Sequence, residues 1–119
     1  MTKMPPTISY RRGDILLVPF PFSDQTSTKQ RPALVISVDL FQEQGPDLLI
    51  MAITSQVGAP LKLGEFLIRD WRSAGLIKPS AIKAAISTIE VKLVHRQLGC
   101  LSDYDLRQLN TSLRELLGL

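Results

Sequence analysis

The stretch that decides the fold is Tyr10–Ser37, YRRGDILLVPFPFSDQTSTKQRPALVIS. It contains two apolar runs, Ile15–Phe22 and Pro32–Ile36, which are separated by a polar segment. Apolar runs of this length, bounded by Gly, Asp, Ser and Thr, are typical of buried β-strands rather than helices. A strand can begin with proline because its first residue need not donate a ladder hydrogen bond. We therefore predict two strands joined by a long polar loop, with Arg31 at the point where the loop re-enters the sheet.

Short apolar runs between turn residues predict the other strands of the sheet. The clearest is LLIMAIT at Leu48–Thr54, in which six apolar residues precede a hydroxyl side chain. The predicted strands are Asp14–Phe20, Pro32–Val38, Leu48–Thr54, a short one within Glu65–Arg69, and one long bent strand or two strands within Leu76–Leu93.

The chain ends in a predicted amphipathic helix. Ser102 is a candidate N-cap, and Asp105 completes a pattern similar to a capping box. The leucines that follow form one apolar stripe, which we expect to pack on the sheet, with a dimerisation face as the alternative. This stripe consists of Leu106, Leu109, Leu113, Leu116 and Leu117. Shorter turns or single helical turns are predicted at Asp39–Asp47 and Asp70–Gly75. Five or six short strands and one terminal helix predict a small, strongly curved antiparallel sheet or barrel.

Length and composition predict one globular domain over residues 1–119, with residues 1–9 as a loose arm. A chain of 119 residues, 45% of them hydrophobic and 21% charged, can bury a core without covalent cross-links. The single cysteine, Cys100, excludes an internal disulfide, and with only one histidine the chain lacks the usual ligands of a zinc site. No Gly-rich phosphate loop follows any predicted strand. We expect no metal and no cofactor.

The chain shows no targeting or membrane-spanning segment. Its N-terminus is interrupted by Pro5-Pro6 and has no apolar signal-peptide core. No apolar run approaches the ~18 residues of a membrane span. We therefore expect a reduced, cytoplasmic location.

The net charge of +3 is unevenly distributed along the chain. Residues 1–37 and 60–96 are basic, whereas residues 38–59 between them are acidic. If the two basic blocks meet in space, they form a positive face suited to a nucleic acid. Moderately basic domains are common, so the charge alone leaves the class of partner open.

Arg31 is the first candidate functional residue. Its planar, permanently charged guanidinium can hold a phosphate, and a structural ion pair at the end of the sheet is the equal alternative. Thr54 and Ser55 end a predicted buried strand, where a hydroxyl and an adjacent backbone N–H can position a phosphate oxygen. Spacing alone favours an ordinary strand-to-loop hydrogen bond at that position.

Five further side chains each have a functional and a structural interpretation. Lys78 and Lys83 either contact phosphate or lie on the solvated face of a strand. His95 is suited to general base catalysis, but no second His or Cys accompanies it, so we expect an ordinary surface residue. Trp71 and Phe66 can stack on nucleic-acid bases, and core packing is the interpretation that we favour for both.

Four motifs in order resemble the MazF/PemK family of toxins. They are GDI at residues 13–15, QRPALVIS at 30–37, ITSQ at 53–56, and GLIKPS at 75–80 followed by IK at 82–83. Each motif is short, but their order and spacing are kept from about residue 10 to the end of the chain.

The resemblance implies a mainly β fold, an SH3-like barrel of the CcdB/MazF type with a C-terminal helix, which forms a homodimer. It implies the toxin of a type II toxin–antitoxin system. Members are metal-independent endoribonucleases that cut single-stranded RNA, including mRNA, at short sequences. A small cognate antitoxin blocks their RNA groove.

The resemblance also implies roles for particular residues. Arg31 and Thr54 match the two family positions that act on the scissile phosphate. We expect further RNA contacts from Lys29, Ser55, Gln56, Lys78 and Ser80. The segment Ser23–Gln30 lacks the histidine of some members. Ser80 stands where many members have Asp, and Lys78 stands where some have Arg.

There are two alternative functions. One is a non-catalytic SH3-like module that binds nucleic acid or protein. The other is an inhibitor resembling the CcdB toxins that poison DNA gyrase.

Overall fold

The computed structural model describes residues 9–19 and 29–119. The predicted N-terminal arm lies outside the described residues except for Ser9. The described residues form the strands β1 (Asp14–Pro19), β2 (Gln30–Val35), β3 (Asp47–Thr54), β4 (Phe66–Leu67), β5 (Ala81–Glu90) and β6 (Arg96–Cys100). They also form the helices α1 (Asp39–Glu43) and α2 (Asp103–Leu117), with a short 3₁₀ helix at Val91–Leu93.

All six strands join one antiparallel sheet in the order β4-β5-β3-β2-β1-β6. The sheet curls into a half-barrel. The predicted curved antiparallel sheet with a terminal helix is therefore confirmed.

Apolar side chains are buried on both faces of this sheet. Ile15, Leu34 and Met51 belong to a cluster that also includes Leu109 of α2. Their chain neighbours point the other way into a second cluster, which contains Leu16, Ala33, Val35, Ile50 and Ala52. Strands buried on both faces show continuous apolar runs rather than alternation. This burial explains the sequence pattern of Tyr10–Ser37.

The second strand lies earlier in the chain than predicted. β2 begins at Gln30 and ends at Val35, because Gln30 and Arg31 pair with Pro19 and Val18 of β1. Arg31 therefore lies within the strand and not at its junction with the loop. Pro32 is tolerated in this central strand because the ladder with β3 begins only at Ala33. The predicted strand end at Phe20 lies outside the described residues.

The predicted long strand or strand pair over Leu76–Leu93 was wrong at both ends, because Leu76–Ser80 are not in a strand and Val91–Leu93 form the 3₁₀ helix. The long strand is β5, Ala81–Glu90. Pro79 lacks a ladder donor and restricts the residue before it. A further strand, β6, was not predicted, because its sequence RQLGC has no apolar alternation.

A close backbone contact joins the turns at residues 69–75 to β6. Gly75 has φ +87°, and a side chain at Gly75 would collide with the carbonyl of Leu98. A side chain at Gly99 would collide in turn with the carbonyl of Ala74. Both positions require glycine because two backbones meet there.

Helix α2 packs on one face of the sheet through most of the predicted stripe. Leu109 is fully buried, and Leu106, Leu113 and Leu116 pack partly buried against the same cluster. Leu117 is 54% exposed, so its inclusion in the stripe was wrong. One residue adds ~100° around a helix, which turns Leu117 away from the face of Leu116.

The predicted N-cap of α2 is confirmed and belongs to a buried polar network. The Ser102 hydroxyl accepts a hydrogen bond from the Asp105 N–H at 3.3 Å. The fully buried carboxylate of Asp105 accepts the backbone N–H groups of Arg69 and Asp70, both at 2.9 Å. Ser102 Oγ also donates to Asp70 Oδ2 at 2.6 Å. This network attaches the first turn of α2 to the turns at residues 69–75.

Substitution of Asp105 by alanine is expected to destabilise the protein strongly. It leaves two backbone donors without their carboxylate acceptor, which costs about 3 kcal/mol in the free energy of unfolding. Asp103 lies exposed in the same first turn, so Asp103→Ala removes the same charge at a cost of about 0.5 kcal/mol. Urea unfolding of the two variants measures the difference, and equal effects would show that the Asp105 bonds contribute nothing specific.

Glu65 is a second carboxylate held by backbone donors. Its side chain is 7% exposed, and it accepts the N–H groups of Lys62 at 3.0 Å and Ala84 at 3.4 Å. Lys83 Nζ lies 3.3 Å from the same carboxylate. The Lys62 N–H, followed by the Ala84 N–H and the Lys83 ammonium, lowers the pKa of Glu65, although burial opposes this shift.

The lowered pKa predicts an acid-dependent contribution to stability. Because the folded-state pKa of Glu65 lies below its unfolded value of about 4.3, the contribution is fully present above that pH. It is lost as the pH falls through the folded-state pKa. The difference in unfolding free energy between wild type and Glu65→Gln should be constant from neutral pH to about pH 5.5 and shrink below about pH 4. Glu115→Gln, at an exposed position of α2, is the control, and a pH-independent difference for Glu65 would contradict the assignment.

Candidate active site

The register of β2 and β3 brings the two predicted phosphate-contacting residues together. Ala33 of β2 lies opposite Ala52 of β3 in the antiparallel ladder. Continuing this register by two residues sets Arg31 opposite Thr54. The ladder itself stops at Ala33, so both side chains lie where the strands part. Residues that are 23 positions apart in the sequence thus reach the same end of the sheet.

The third wall comes from the chain that enters β5. Thr54 pairs with Ala81, the first residue of β5, after a register shift between Met51 and Ile53. This irregularity bends the strand. Ser80 comes directly before Ala81 in the chain. It therefore lies close to Thr54.

These three segments enclose a cavity of about 390 Å³, which we call the active-site cavity. Its lining contains every predicted site residue except Lys29. Sequence reasoning did not single out the remaining lining residues, although the motifs QRPALVIS, ITSQ and GLIKPS include them. The cavity is lined by Arg31, Pro32, Ile53, Thr54, Ser55, Gln56, Leu76, Ile77, Lys78 and Ser80.

The active-site cavity has an apolar base and a cationic, hydroxyl-rich rim. Ile53 and Leu76 are buried, at 4% and 8% exposure, whereas Arg31 and Lys78 are exposed. None of the described residues that line it carries a carboxylate or an imidazole. The positive charges of Arg31 and Lys78 favour an anionic ligand such as a phosphodiester.

The Thr54 hydroxyl is oriented by its own turn. Thr54 Oγ1 accepts the N–H of Gln56 at 3.1 Å. The bond uses one lone pair of the hydroxyl and leaves its hydrogen available for donation. The expected strand-to-loop hydrogen bond is therefore present, and it is compatible with a phosphate contact.

Ser80 and the two neighbouring lysines differ in their surroundings. Ser80 is buried, and its hydroxyl donates to the carbonyl of Lys78 at 2.9 Å. Lys83 pairs with Glu65, which supports the structural interpretation for that residue. Lys78 forms no ion pair within residues 9–19 and 29–119, and its side chain lines the cavity.

Other candidate residues lie outside the active-site cavity. Lys29 is exposed and is absent from its lining. His95 is exposed, and its backbone N–H donates to Leu17. Phe66 is buried in the core, as favoured, and Trp71 packs half-buried against it.

No group of three or more His, Cys, Asp or Glu side chains that could hold a metal ion occurs among the described residues. Across the same part of the chain, no helix is long and apolar enough to cross a membrane.

Solved structures of toxins share this fold. The Mycobacterium tuberculosis toxin MazF-mt6 matches with a TM-score of 0.72 and 20% identity, over 89% of this chain and 97% of that one. A MazE–MazF structure from Deinococcus radiodurans matches with a TM-score of 0.71 and 17% identity, over 95% and 99%. An endoribonuclease in complex with its cognate antitoxin, from a mycobacterial species, matches with a TM-score of 0.72 and 16% identity, over 95% and 97%. The predicted SH3-like barrel of the CcdB/MazF type is thereby confirmed.

Sequence comparison identifies the family. No curated protein matches the chain. The model of the PemK-like, MazF-like toxins of type II toxin–antitoxin systems matches residues 11–117, which is nearly the whole chain. The protein therefore belongs to the PemK-like, MazF-like family of type II toxin–antitoxin toxins.

Proposed function

We propose that this toxin is an endoribonuclease that cleaves single-stranded RNA, including mRNA, in the active-site cavity, with Arg31 and Thr54 acting on the scissile phosphate. The observation that carries the proposal is the convergence of these two residues with Lys78 in one cavity. A guanidinium, an oriented hydroxyl and an ammonium around an open space suit a phosphodiester.

The nucleophile comes from the substrate. RNA carries a 2′-OH beside each phosphate. Its in-line attack forms the 2′-O–P bond and breaks the P–O5′ bond, and the proton lost by the 2′-OH passes to water, while the 5′-oxygen of the next nucleotide takes up a proton from water. The products are a 2′,3′-cyclic phosphate and a 5′-OH. Because the nucleophile is part of the substrate, the reaction requires no metal-activated water.

Arg31 stabilises the negative charge that develops on the phosphorane oxygens. Its guanidinium is always protonated, so it supplies charge and directed N–H donors rather than a proton. Lys78 adds a second positive charge to the cavity lining.

Thr54 orients a non-bridging phosphate oxygen through its hydroxyl hydrogen. The Gln56 N–H holds the hydroxyl in place, so little reorganisation is needed at the moment of reaction.

Ser55 and Gln56 are exposed beside Thr54 and are proposed to contact the RNA strand. Lys29, outside the cavity, is proposed to contact it as well. The buried Ser80 is proposed as a positioning residue that fixes the backbone of Lys78.

The partners proposed for the toxin are its single-stranded RNA substrate, a small cognate antitoxin and a second copy of the chain. The family membership supports all three, and a relative with the same fold is described in complex with its cognate antitoxin. The proposed place of action is the cytoplasm, where mRNA is available.

Substitution of Arg31 or Thr54 is expected to reduce cleavage of a single-stranded RNA without unfolding the protein. Arg31→Ala and Thr54→Val each remove one preorganised contact to the phosphate, which typically lowers the rate about 10²–10³-fold. Thr54→Ser keeps the hydroxyl and should retain most of the activity. Initial rates on one RNA substrate measure the effect.

Arg114→Ala is the matched control for Arg31→Ala. Arg114 is exposed on α2 and does not line the active-site cavity, so this variant loses the same charge and should keep its activity. Circular dichroism confirms the fold of each variant. Full activity of Arg31→Ala would remove this residue from the mechanism.

The reaction products test the chemistry directly. Purified toxin incubated with mixed-sequence RNA in EDTA should produce fragments with 2′,3′-cyclic phosphate and 5′-OH ends, at the same rate as without EDTA. Loss of cleavage in EDTA would exclude the metal-independent reaction. Binding without cleavage would favour a non-catalytic module, and inhibition of DNA supercoiling would favour a gyrase inhibitor.

A further inference from the structure

A second cavity of about 500 Å³ adjoins the active-site cavity. Ser80 lines both, and Pro79, which lines the second, follows Lys78 of the first. The two cavities therefore share a wall at residues 78–80. The second cavity is lined by Val57, Phe66, Leu67, Ile68, Arg69, Trp71, Pro79, Ser80, Tyr104 and Gln108.

The polar side of the second cavity is a guanidinium stacked on an aromatic ring. The Cζ atom of Arg69 lies 3.7 Å from the centroid of the Tyr104 ring. The same guanidinium donates to the carboxylate of Asp70 through Nε at 3.3 Å and one terminal nitrogen at 3.1 Å. Although it is held by these contacts, the Arg69 side chain remains 59% exposed.

The buried hydrogen-bond network at the start of α2 holds the Arg69–Tyr104 stack in place. Asp105 accepts the backbone N–H groups of Arg69 and Asp70, and Ser102 donates to the Asp70 carboxylate. Arg69 and Ser102 together lower the pKa of Asp70, so the acid that orients Arg69 stays ionised near neutral pH. The surface is therefore organised before any ligand arrives, which reduces the entropic cost of binding.

The rest of the second cavity offers apolar contact and one amide. Phe66 and Ile68 are buried below it, and Trp71 is half-buried at its side. Gln108 lies one helical turn after Tyr104 on the same face of α2. Its amide makes no hydrogen bond with residues 9–19 or 29–119, so both its donor and its acceptor can meet a ligand.

We propose that the second cavity binds an unstacked nucleobase of the RNA substrate, at a nucleotide flanking the scissile phosphate. Protein sites for single-stranded RNA stack bases on aromatic rings and arginine planes and read base edges with side-chain amides. Arg69, Tyr104 and Gln108 supply these groups, and the base stacks on the exposed Arg69–Tyr104 surface. The shared wall next to the cationic Lys78 favours the same RNA strand over a protein segment as the occupant. This inference rests on the proposed ribonuclease function.

The test uses the RNA sequence that wild-type toxin is found to cut in a mixed-sequence RNA. A single-stranded RNA spanning this sequence, with 2′-deoxyribose at the cut nucleotide, binds but cannot react. Its affinity is measured by fluorescence anisotropy for wild type, Tyr104→Ala, Tyr104→Phe, Arg69→Ala and Arg69→Lys. Loss of one stacked base should weaken binding by about 5- to 100-fold in Tyr104→Ala and Arg69→Ala.

The conservative variants separate stacking from charge. Tyr104→Phe keeps the ring and should retain the affinity. Arg69→Lys keeps the charge but not the planar surface, so its affinity should fall clearly below that of wild type. Full affinity in Arg69→Lys would show that only charge matters and would overturn the stacking site. Because Arg69 is exposed, its variants remain informative if Tyr104→Ala fails to fold.

Abasic substitutions identify the contacted nucleotide. Removing one base at a time from the RNA should weaken wild-type binding at one flanking position, and the same removal should have no further effect on Tyr104→Ala. Arg114→Ala, which lies ten residues beyond Tyr104 on α2, should show the wild-type pattern at every position.

The outcomes distinguish this inference from the proposed function. If wild type neither binds nor cleaves RNA, the ribonuclease function itself fails. If wild type cleaves RNA and the Tyr104 and Arg69 variants match it in affinity and in the abasic pattern, the ribonuclease function stands. A protein segment is then the remaining candidate occupant of the second cavity, and the inference is overturned.

Discussion

The position of one wall of the active-site cavity depends on the hydrogen bonds that the buried Asp105 carboxylate accepts. This carboxylate accepts two backbone N–H groups from residues that lie 35 and 36 positions earlier in the chain. A buried charge without such donors would be very costly, but here the donors and the N-terminus of α2 stabilise it. These hydrogen bonds attach the turns at residues 69–75 to the first turn of α2. They thereby also position the next residues in the chain, Leu76–Ser80. Those residues form one wall of the active-site cavity, so the position of a single carboxylate is transmitted to the site.

The opposite walls are set by strand register rather than by side-chain contacts. The pairing of Ala33 with Ala52 determines that Arg31 faces Thr54, and a slip of one residue would turn one of them to the other face of the sheet. Such a slip is resisted because both faces of β2 and β3 are buried. The same apolar packing that holds the sheet together thus keeps the guanidinium and the hydroxyl at one end of it.

The sequence allowed the strands to be predicted where burial leaves a continuous apolar run. β3 differs from its predicted span by one residue, and the N-cap Ser102 was located from local chemistry alone. β6 escaped prediction because it is an edge strand of mixed polarity, stabilised by pairing with β1 and by the contact of Gly99 with Ala74. Contacts between distant residues of this kind leave no periodic signal in a sequence.

The site was predictable in its residues but not in its arrangement. The motifs pointed to Arg31, Thr54 and Lys78, and the resemblance supplied their proposed roles. Their common cavity depends on the ladder between β2 and β3 and on the bend that leads into β5. The adjoining cavity depends on Asp105, whose role as an acceptor for residues 69 and 70 has no local signature. Tyr104 and Arg69 could therefore not be paired from the sequence.

The serine at position 80 changes what this part of the site can do. A carboxylate there would lower the positive charge of the cavity lining and offer a proton acceptor. The Ser80 hydroxyl instead donates to the Lys78 carbonyl, so it acts on the backbone that carries the ammonium. The described lining then contains no carboxylate that could accept a proton. In the proposed reaction, we therefore expect stabilisation of the developing phosphorane charge to contribute more than proton transfer by a lining side chain, because electrostatic preorganisation alone can supply several kcal/mol.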